Sequence, residues 1–268
     1  MTTRNIEQGF WRSERAPWIE LRTTRQSMQA YKLHQHPQLS IGAIVEGETV
    51  SWCSGQEYHL HPGEMILIAP REAHSCNPLT GIPRSYHMLY LDERWCLEQL
   101  GWPVDATLGC EQTVVRDAAT FAVFMQVIGL MQHDKMDQLP AAVRELLALM
   151  PGLNKRQQGR GEFQEMQSAL QADFIAVPSL DALANHYALR KETLIRQFKQ
   201  ATGLTPGAWL NNARIEFAKI RLREGGDITD VGYQSGFADQ SHFHRTFVSF
   251  TASTPRQYAR ARSISDNK

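Results

Sequence analysis

Between residues 29 and 92 the apolar positions come in short runs, at 39–45, 49–53, 57–60, 65–69 and 86–91, with Gly47, Gly55 and Pro62-Gly63 in the gaps. Runs of that length, bounded by turn residues and without a helical period, predict short strands. Many such strands at close spacing predict an antiparallel sandwich or small barrel. From residue 117 the period changes to about 3.6, so helices are expected. Phe121, Phe124, Ile128 and Met131 form one stripe, and Val143, Leu146, Leu147 and Met150 form a second. Residues 151–161 are glycine-rich and polar, the composition of an exposed linker. The expected organisation is α+β in two domains: a barrel with two trailing helices at 1–150, a linker at 151–161, and an all-helical domain at 162–268.

The helical part repeats itself. A shift of 49 positions pairs Arg196 with Arg245, Phe198 with Phe247, Thr202 with Thr251, Thr205-Pro206 with Thr254-Pro255, and Trp209 with Tyr258. Leu183-Ala184 and Val231-Gly232 correspond at a shift of 48, as expected if the connecting turns differ in length. Each copy reads as a short capped helix, a tight turn and a second helix, over 180–201 and 227–250. That is the helix-turn-helix layout, in which the second helix packs one stripe on the first and turns the other face outward. Leu194 and Phe198 form the inward stripe of one copy, Phe243 and Phe247 that of the other. The outward faces carry Arg190, Lys191, Glu192, Arg196 and Lys199, and then Gln240, Ser241, His244 and Arg245. Arginine takes both acceptors of a guanine edge and glutamine matches adenine, so these side-chain types suit the major groove of double-stranded DNA. A helix at 206–224, with Leu210, Ala213, Phe217 and Ile220 on one stripe, is expected to join the copies rigidly. Two recognition helices on one face of B-DNA must enter grooves about 34 Å apart, and only a stiff joint fixes that spacing.

Charge and composition refine this picture. The 268 residues are 42% hydrophobic and 21% charged, with zero formal net charge. That is the profile of an ordinary globular chain. The zero conceals a division: residues 1–159 carry 14 basic and 17 acidic side chains, residues 160–268 carry 14 and 11. The basic surplus falls where the DNA-facing helices are expected. No apolar run approaches the ~20 residues a bilayer span requires. Residues 1–10 lack the apolar core of a secretory signal, so a cytoplasmic protein without a membrane partner is expected. Cys53, Cys76, Cys96 and Cys110 contain no CxxC pair, so free thiols are expected rather than a disulfide framework or zinc ribbon.

The run 228–247, Ile-Thr-Asp-Val-Gly-Tyr-Gln-Ser-Gly-Phe-Ala-Asp-Gln-Ser-His-Phe-His-Arg-Thr-Phe, closed by Thr254-Pro255 and Tyr258, resembles the second helix-turn-helix signature of AraC/XylS-type bacterial transcription regulators. The resemblance covers about 163–262. It implies base-contacting places at Glu192, Ile195 and Arg196 in the first recognition helix and at Gln240, Ser241, His244 and Arg245 in the second. Ile195 stands where a polar residue is common in that family, and Val248 where a lysine is usual. The resemblance further implies a cupin-like barrel that takes a small-molecule effector, followed by a helix pair that dimerises. RNA polymerase is then a partner if the protein activates.

His34-Gln35-His36, followed by Pro62-Gly63-Glu64, Pro70 and His74, has the outline of the two cupin motifs. Residues two apart on a strand share a face, so His34 and His36 point the same way. The glutamate expected four positions after the second histidine is Ser40. The preferred expectation is therefore an effector pocket lined by His34, His36, Trp52, His74, Tyr86 and Met88, with no cofactor, no metal and no catalytic residue. Ile41, Ala43, Tyr58, Ile66 and Ile68 are expected to face the same interior. Two rival expectations remain: a cupin metalloenzyme using His34, His36 and His74, and a thiol sensor using Cys53 or Cys76.

Overall fold

The computed structural model describes residues 7–157, 161 and 163–260. The chain divides into two compact units. The first holds the strands and the helices up to residue 157, except Tyr31–Gln35, and the second holds Tyr31–Gln35 and the helices from residue 163 onward.

The sheet unit begins with β1 (Glu7–Trp11), β2 (Ile19–Ser27), β3 (Leu39–Glu46), β4 (Thr49–Cys53), β5 (Gln56–Leu60), β6 (Met65–Ile68), β7 (His74–Pro78) and β8 (Arg84–Leu91). It continues with α1 (Glu93–Gln99), β9 (Ala106–Cys110), β10 (Val114–Val115), α2 (Ala118–Gln132), α3 (Leu139–Leu149) and β11 (Leu153–Gln157). A six-stranded antiparallel sheet runs β1-β2-β8-β3-β6-β10, and a three-stranded sheet runs β5-β4-β7. Strands β9 and β11 pair as a separate ribbon. Residues 153–157, expected in the linker, thus form a strand; the Asn154, Lys155 and Arg156 side chains suit an edge ribbon and also imitate a linker composition.

Register sorts the large sheet into two faces. Trp11, Leu21, Leu89, Ile41 and Leu67 lie side by side, as do Thr23, His87, Ala43 and Met65. The apolar members of this face join Phe124, Val127, Ile128, Met131, Val143, Leu146 and Leu147 of α2 and α3 in the main core. The opposite face aligns Gln8, Thr24, Tyr86 and Ile44 in one row, Phe10, Arg22, Met88, Gly42 and Ile66 in the next, and Glu20, Tyr90, Ser40 and Ile68 in a third. Its apolar members share a second core with Cys53, Leu60, Tyr58 and Cys76 of the small sheet. Ile41 and Ala43, expected to face the barrel interior, therefore belong to the helix-covered face. Strand β3 is buried on both sides from Leu39 to Ile44, so it offers no polar alternation from which to read its faces.

The helical unit contains α4 (Gln164–Ala172), α5 (Leu180–His186), α6 (Lys191–Thr202), α7 (Pro206–Arg223), α8 (Ile228–Gln234), α9 (Gln240–Thr251) and α10 (Pro255–Ala259). Side chains of Ser179, Thr205, Asp227 and Asp239 accept backbone N–H groups at the starts of α5, α7, α8 and α9. Residues Tyr31–Gln35 group with this unit. The Asn212 carboxamide brackets the Gln35 backbone, with Nδ2 donating to its carbonyl at 2.9 Å and Oδ1 accepting its N–H at 3.1 Å. The Lys32 N–H donates to the Ser249 carbonyl at 2.9 Å.

Candidate functional site

The two helix-turn-helix copies match down to single hydrogen bonds. In the turn after α5, the N–H groups of Ala188 and Leu189 donate to the carbonyls of Asn185 and Ala184; 48 positions later, those of Gly236 and Phe237 donate to Tyr233 and Gly232. Ala188 and Gly236 are both left-handed, at φ 51° and 79°. At the far end of the second helices the offset is 49. Gly203 and Ala252 are both left-handed and donate to the carbonyls of Lys199 and Val248. Thr202 Oγ1 lies 2.8 Å from the Phe198 carbonyl and 2.9 Å from that of Leu204, and accepts the Leu204 N–H. Thr251 Oγ1 makes the same three contacts with Phe247 and Ser253. Two stretches of different sequence thus adopt one local geometry.

That geometry buries the stripes expected to be inward. Leu194, Phe198, Phe243 and Phe247 are fully buried, and Phe198 meets Trp209 edge-on as Phe247 meets Tyr258. Helices α8 and α9 cross closely at Gly232, where a Cβ would approach the Phe243 ring at 3.1 Å. With those positions inward, Arg190, Glu192, Arg196 and Lys199 are exposed around α6, and Gln240, Ser241 and Arg245 are exposed on α9. Ile195 and His244 are half-buried. Lys191 is also half-buried, and its ammonium reaches Asp181 of α5 at 2.6 Å. The exposed set holds donors and acceptors fit for base edges and cations fit for phosphates.

On the barrel's inner face the structure places four of the expected effector residues: His36, His74, Tyr86 and Met88, all buried. His36 and His74 meet edge-on at 4.8 Å between ring centroids, and His36 meets Tyr90 at 5.3 Å. His36 is held by the Gln38 carbonyl and the Ser40 hydroxyl, and His74 by the Glu72 carbonyl. His34 lies in the segment grouped with the helical unit, its Nδ1 2.8 Å from the Lys32 carbonyl. Trp52 is half-buried and alternates along β4 with the buried Thr49, Ser51 and Cys53, so it points away from the face they share.

Sequence reasoning missed the charged members of this interior. Arg22, Arg84 and Glu20 are all buried. Arg84 donates to the Cys76 carbonyl at 2.5 Å and to Thr49 Oγ1 at 3.4 Å, with its guanidinium over the Tyr86 ring. Arg22 lies over the Phe10 ring and bears on the Tyr90 phenol, which burial pushes well above its ordinary pKa. Glu20 is paired with Arg12 at 2.6 Å. Period-two alternation in Ile19–Ser27 was the available signal, but a strand assignment there was needed to use it.

Burial also sets the thiols. Cys53 and Cys110 are pushed up to about 12, chiefly by desolvation, and Cys76 is raised for the same reason despite the Ser51 hydroxyl beside it. A thiol so raised holds little reactive thiolate at neutral pH.

Comparison with known proteins agrees with both halves. Residues 17–150 match the model of the AraC-like ligand binding domain, and residues 183–261 match that of a helix-turn-helix domain. The HTH-type transcriptional activator RhaS of Salmonella paratyphi A is 27% identical over 242 residues, covering 81% of this chain and 84% of its own. The HTH-type transcriptional regulator YbfI of Bacillus subtilis is 25% identical over 242 residues, covering 80% and 82%. Among solved structures, ToxT from Vibrio cholerae O395 shares the fold at a TM-score of 0.59 and 14% identity, over 90% of this chain and 97% of its own. ToxT of V. cholerae strain SCE256, solved with an unsaturated fatty acid bound, gives 0.59 and 12%, over 96% of both chains. The chain belongs to the AraC family of transcriptional regulators, with an AraC-like ligand-binding domain followed by a helix-turn-helix domain.

Proposed function

We propose that the protein is a sequence-specific DNA-binding regulator whose occupancy of paired sites is set by a small molecule held on the inner face of the barrel. It acts in the cytoplasm as a homodimer, has no catalytic activity of its own, and contacts RNA polymerase where it activates. The carrying observation is the duplicated helix-turn-helix, whose two copies share turn, cap and core geometry while exposing different readers: Arg196 and Lys199 in one, Gln240, Ser241 and Arg245 in the other. Unlike readers on like scaffolds suit two adjacent, non-identical groove segments. A thiol switch on Cys53 or Cys76 finds no support, because burial raises both.

Genomic footprinting with the purified chain, with and without a metabolite extract, tests the reading. Discrete sites whose occupancy responds to the extract are expected. Arg245→Ala should weaken those sites by ~1–3 kcal/mol and relax preference at one base position, as the loss of a bidentate guanine contact does. Absence of preferred sites under every condition refutes the proposal, and an equal loss on all sequences reassigns Arg245 to phosphate.

A further inference from the structure

The helix-covered face of the large sheet is left open at its β1 end. A cleft of about 340 Å3 lies there, lined by Gly9 and Trp11 of β1, Leu21, Thr23 and Arg25 of β2, and Gln132 at the end of α2. That volume falls near the lower end of the range for small-molecule pockets, about 300–1,000 Å3. All of these residues belong to the sheet unit. Trp11, Leu21 and Thr23 turn away from the barrel's inner face, so the cleft is separate from that interior.

Glycine inside a strand weakens it, and marks a bulge, a bend or a place where a ligand or another backbone comes close. Neither of the first two accounts for Gly9: β1 pairs with β2 in unbroken register from Glu7 to Trp11, and the φ of Gly9 is not positive. Packing does not require it either, since a Cβ there would meet no atom within 4 Å. Gly9 thus keeps open a space that any other side chain would enter. Trp11, two positions on and on the same face, is 2% exposed, and its indole N–H has no acceptor among the described residues. Buried donors are nearly always satisfied, so this one calls for an acceptor from outside the chain. Thr23, the register partner of Gly9, places Oγ1 2.9 Å from His87 Nδ1. Burial, with Arg25 nearby, holds His87 below its ordinary pKa, so this part of the cleft is polar without charge. Arg25, which is exposed, supplies the only formal charge among the described lining residues.

We propose that this cleft binds a small organic acid, its body over Gly9 and against Leu21, with one oxygen accepting from the Trp11 indole and its negative charge answered by Arg25. An indole and a guanidinium donate and do not accept, so the ligand brings the acceptors. A charge-assisted pair with the guanidinium favours a carboxylate over the matching amide. The cleft is then a second small-molecule site in the sheet unit, independent of the effector pocket on the barrel's inner face.

The test uses the full chain with 3-phenylpropanoate and 3-phenylpropanamide as matched probes, read by isothermal titration and by the indole N–H signals in 1H–15N NMR. Loss of one indole signal in Trp11→Phe assigns that of Trp11. The acid should bind at least tenfold tighter than the amide and move the Trp11 signal downfield, as a new acceptor does. Gly9→Leu, which fills the cleft where a Cβ meets nothing, should abolish acid binding without lowering the thermal midpoint. Arg25→Gln, at an exposed position, should erase the preference for acid over amide. Acid binding that survives Gly9→Leu, or that leaves the Trp11 signal unmoved, overturns the site. Equal binding of acid and amide to the wild type overturns the ligand class, and that comparison needs no variant to fold. Absence of binding by both probes overturns the proposal, and because no DNA enters the measurement it leaves the regulator reading standing.

Discussion

Replacing Thr251 with valine removes one hydroxyl from the end of the second recognition helix and changes almost nothing in shape. In the native chain that hydroxyl accepts the Ser253 N–H at 3.2 Å and lies 2.8 Å from the Phe247 carbonyl, within a region where Ser253 is 0% exposed. The Phe247 carbonyl keeps its helical bond from the Thr251 N–H, so its loss is small. The Ser253 N–H is left without its acceptor in a place water does not reach, which costs about 1–3 kcal/mol. A methyl in place of the hydroxyl returns about 0.8 kcal/mol through added apolar burial. The Ser253 carbonyl also loses the hydroxyl that reaches it at 3.0 Å, which places the net cost in the upper part of that difference, about 1–2 kcal/mol, a factor of about 5–30 in the local opening equilibrium. Hydrogen exchange followed by mass spectrometry should show that acceleration in peptides spanning 240–258 and leave those of the sheet unit unchanged. Thr202→Val should give the same pattern in 191–209 with a smaller effect, because Thr202 is only half-buried. Exchange within twofold of the wild type in both variants would refute the claim that this shared hydroxyl device holds the helix ends.

Three further outcomes follow from the same geometry. Ala252 sits in the left-handed region at φ 49°, where the first copy has Gly203, so Ala252→Gly should stabilise the helical unit by about 0.5–1 kcal/mol, measured by slowed exchange across α9. The Asp227 carboxyl is held below its ordinary pKa by the N–H groups of Asp230 and Thr229, so its contribution to capping α8 is present above the usual carboxylate range and lost as pH falls through the lowered value. An NMR titration should show α8 fraying in acid, and Asp227→Asn should remove that pH dependence. With Cys53 and Cys110 raised to about 12 and Cys76 and Cys96 also raised, a thiol reagent at pH 7.4 should label native protein far more slowly than urea-unfolded protein; prompt native labelling of Cys53 would contradict its burial.

The helical half was legible because its signal is local. The 49-residue register between Thr202 and Thr251, or Phe198 and Phe247, needs no knowledge of distant pairing, and helix caps such as Ser179 and Asp239 announce themselves a residue before the helix begins. Strands are different, since a strand's faces are defined by partners far away in sequence. In β3, six consecutive buried residues erase the alternation that would have separated Gly42 and Ile44 from Ile41 and Ala43. In β11, an edge ribbon carries the same polar residues as a linker, and only its pairing with β9 reveals it.

The buried arginines show the limit most clearly. A charged side chain in a polar run such as Arg22-Thr23-Thr24-Arg25 reads as solvated surface, and Arg25 is indeed exposed. What turns Arg22 inward is the insertion of β2 between β1 and β8, a crossover that brings residue 22 beside residue 88 and buries one of two arginines three positions apart. Buried charges of this kind escape local patterns because their residue type alone reads as surface, and only the pairing of strands shows which face is covered. Conflict between residue type and burial, visible only once topology is known, therefore locates the charged interior of this barrel where no motif along the chain does.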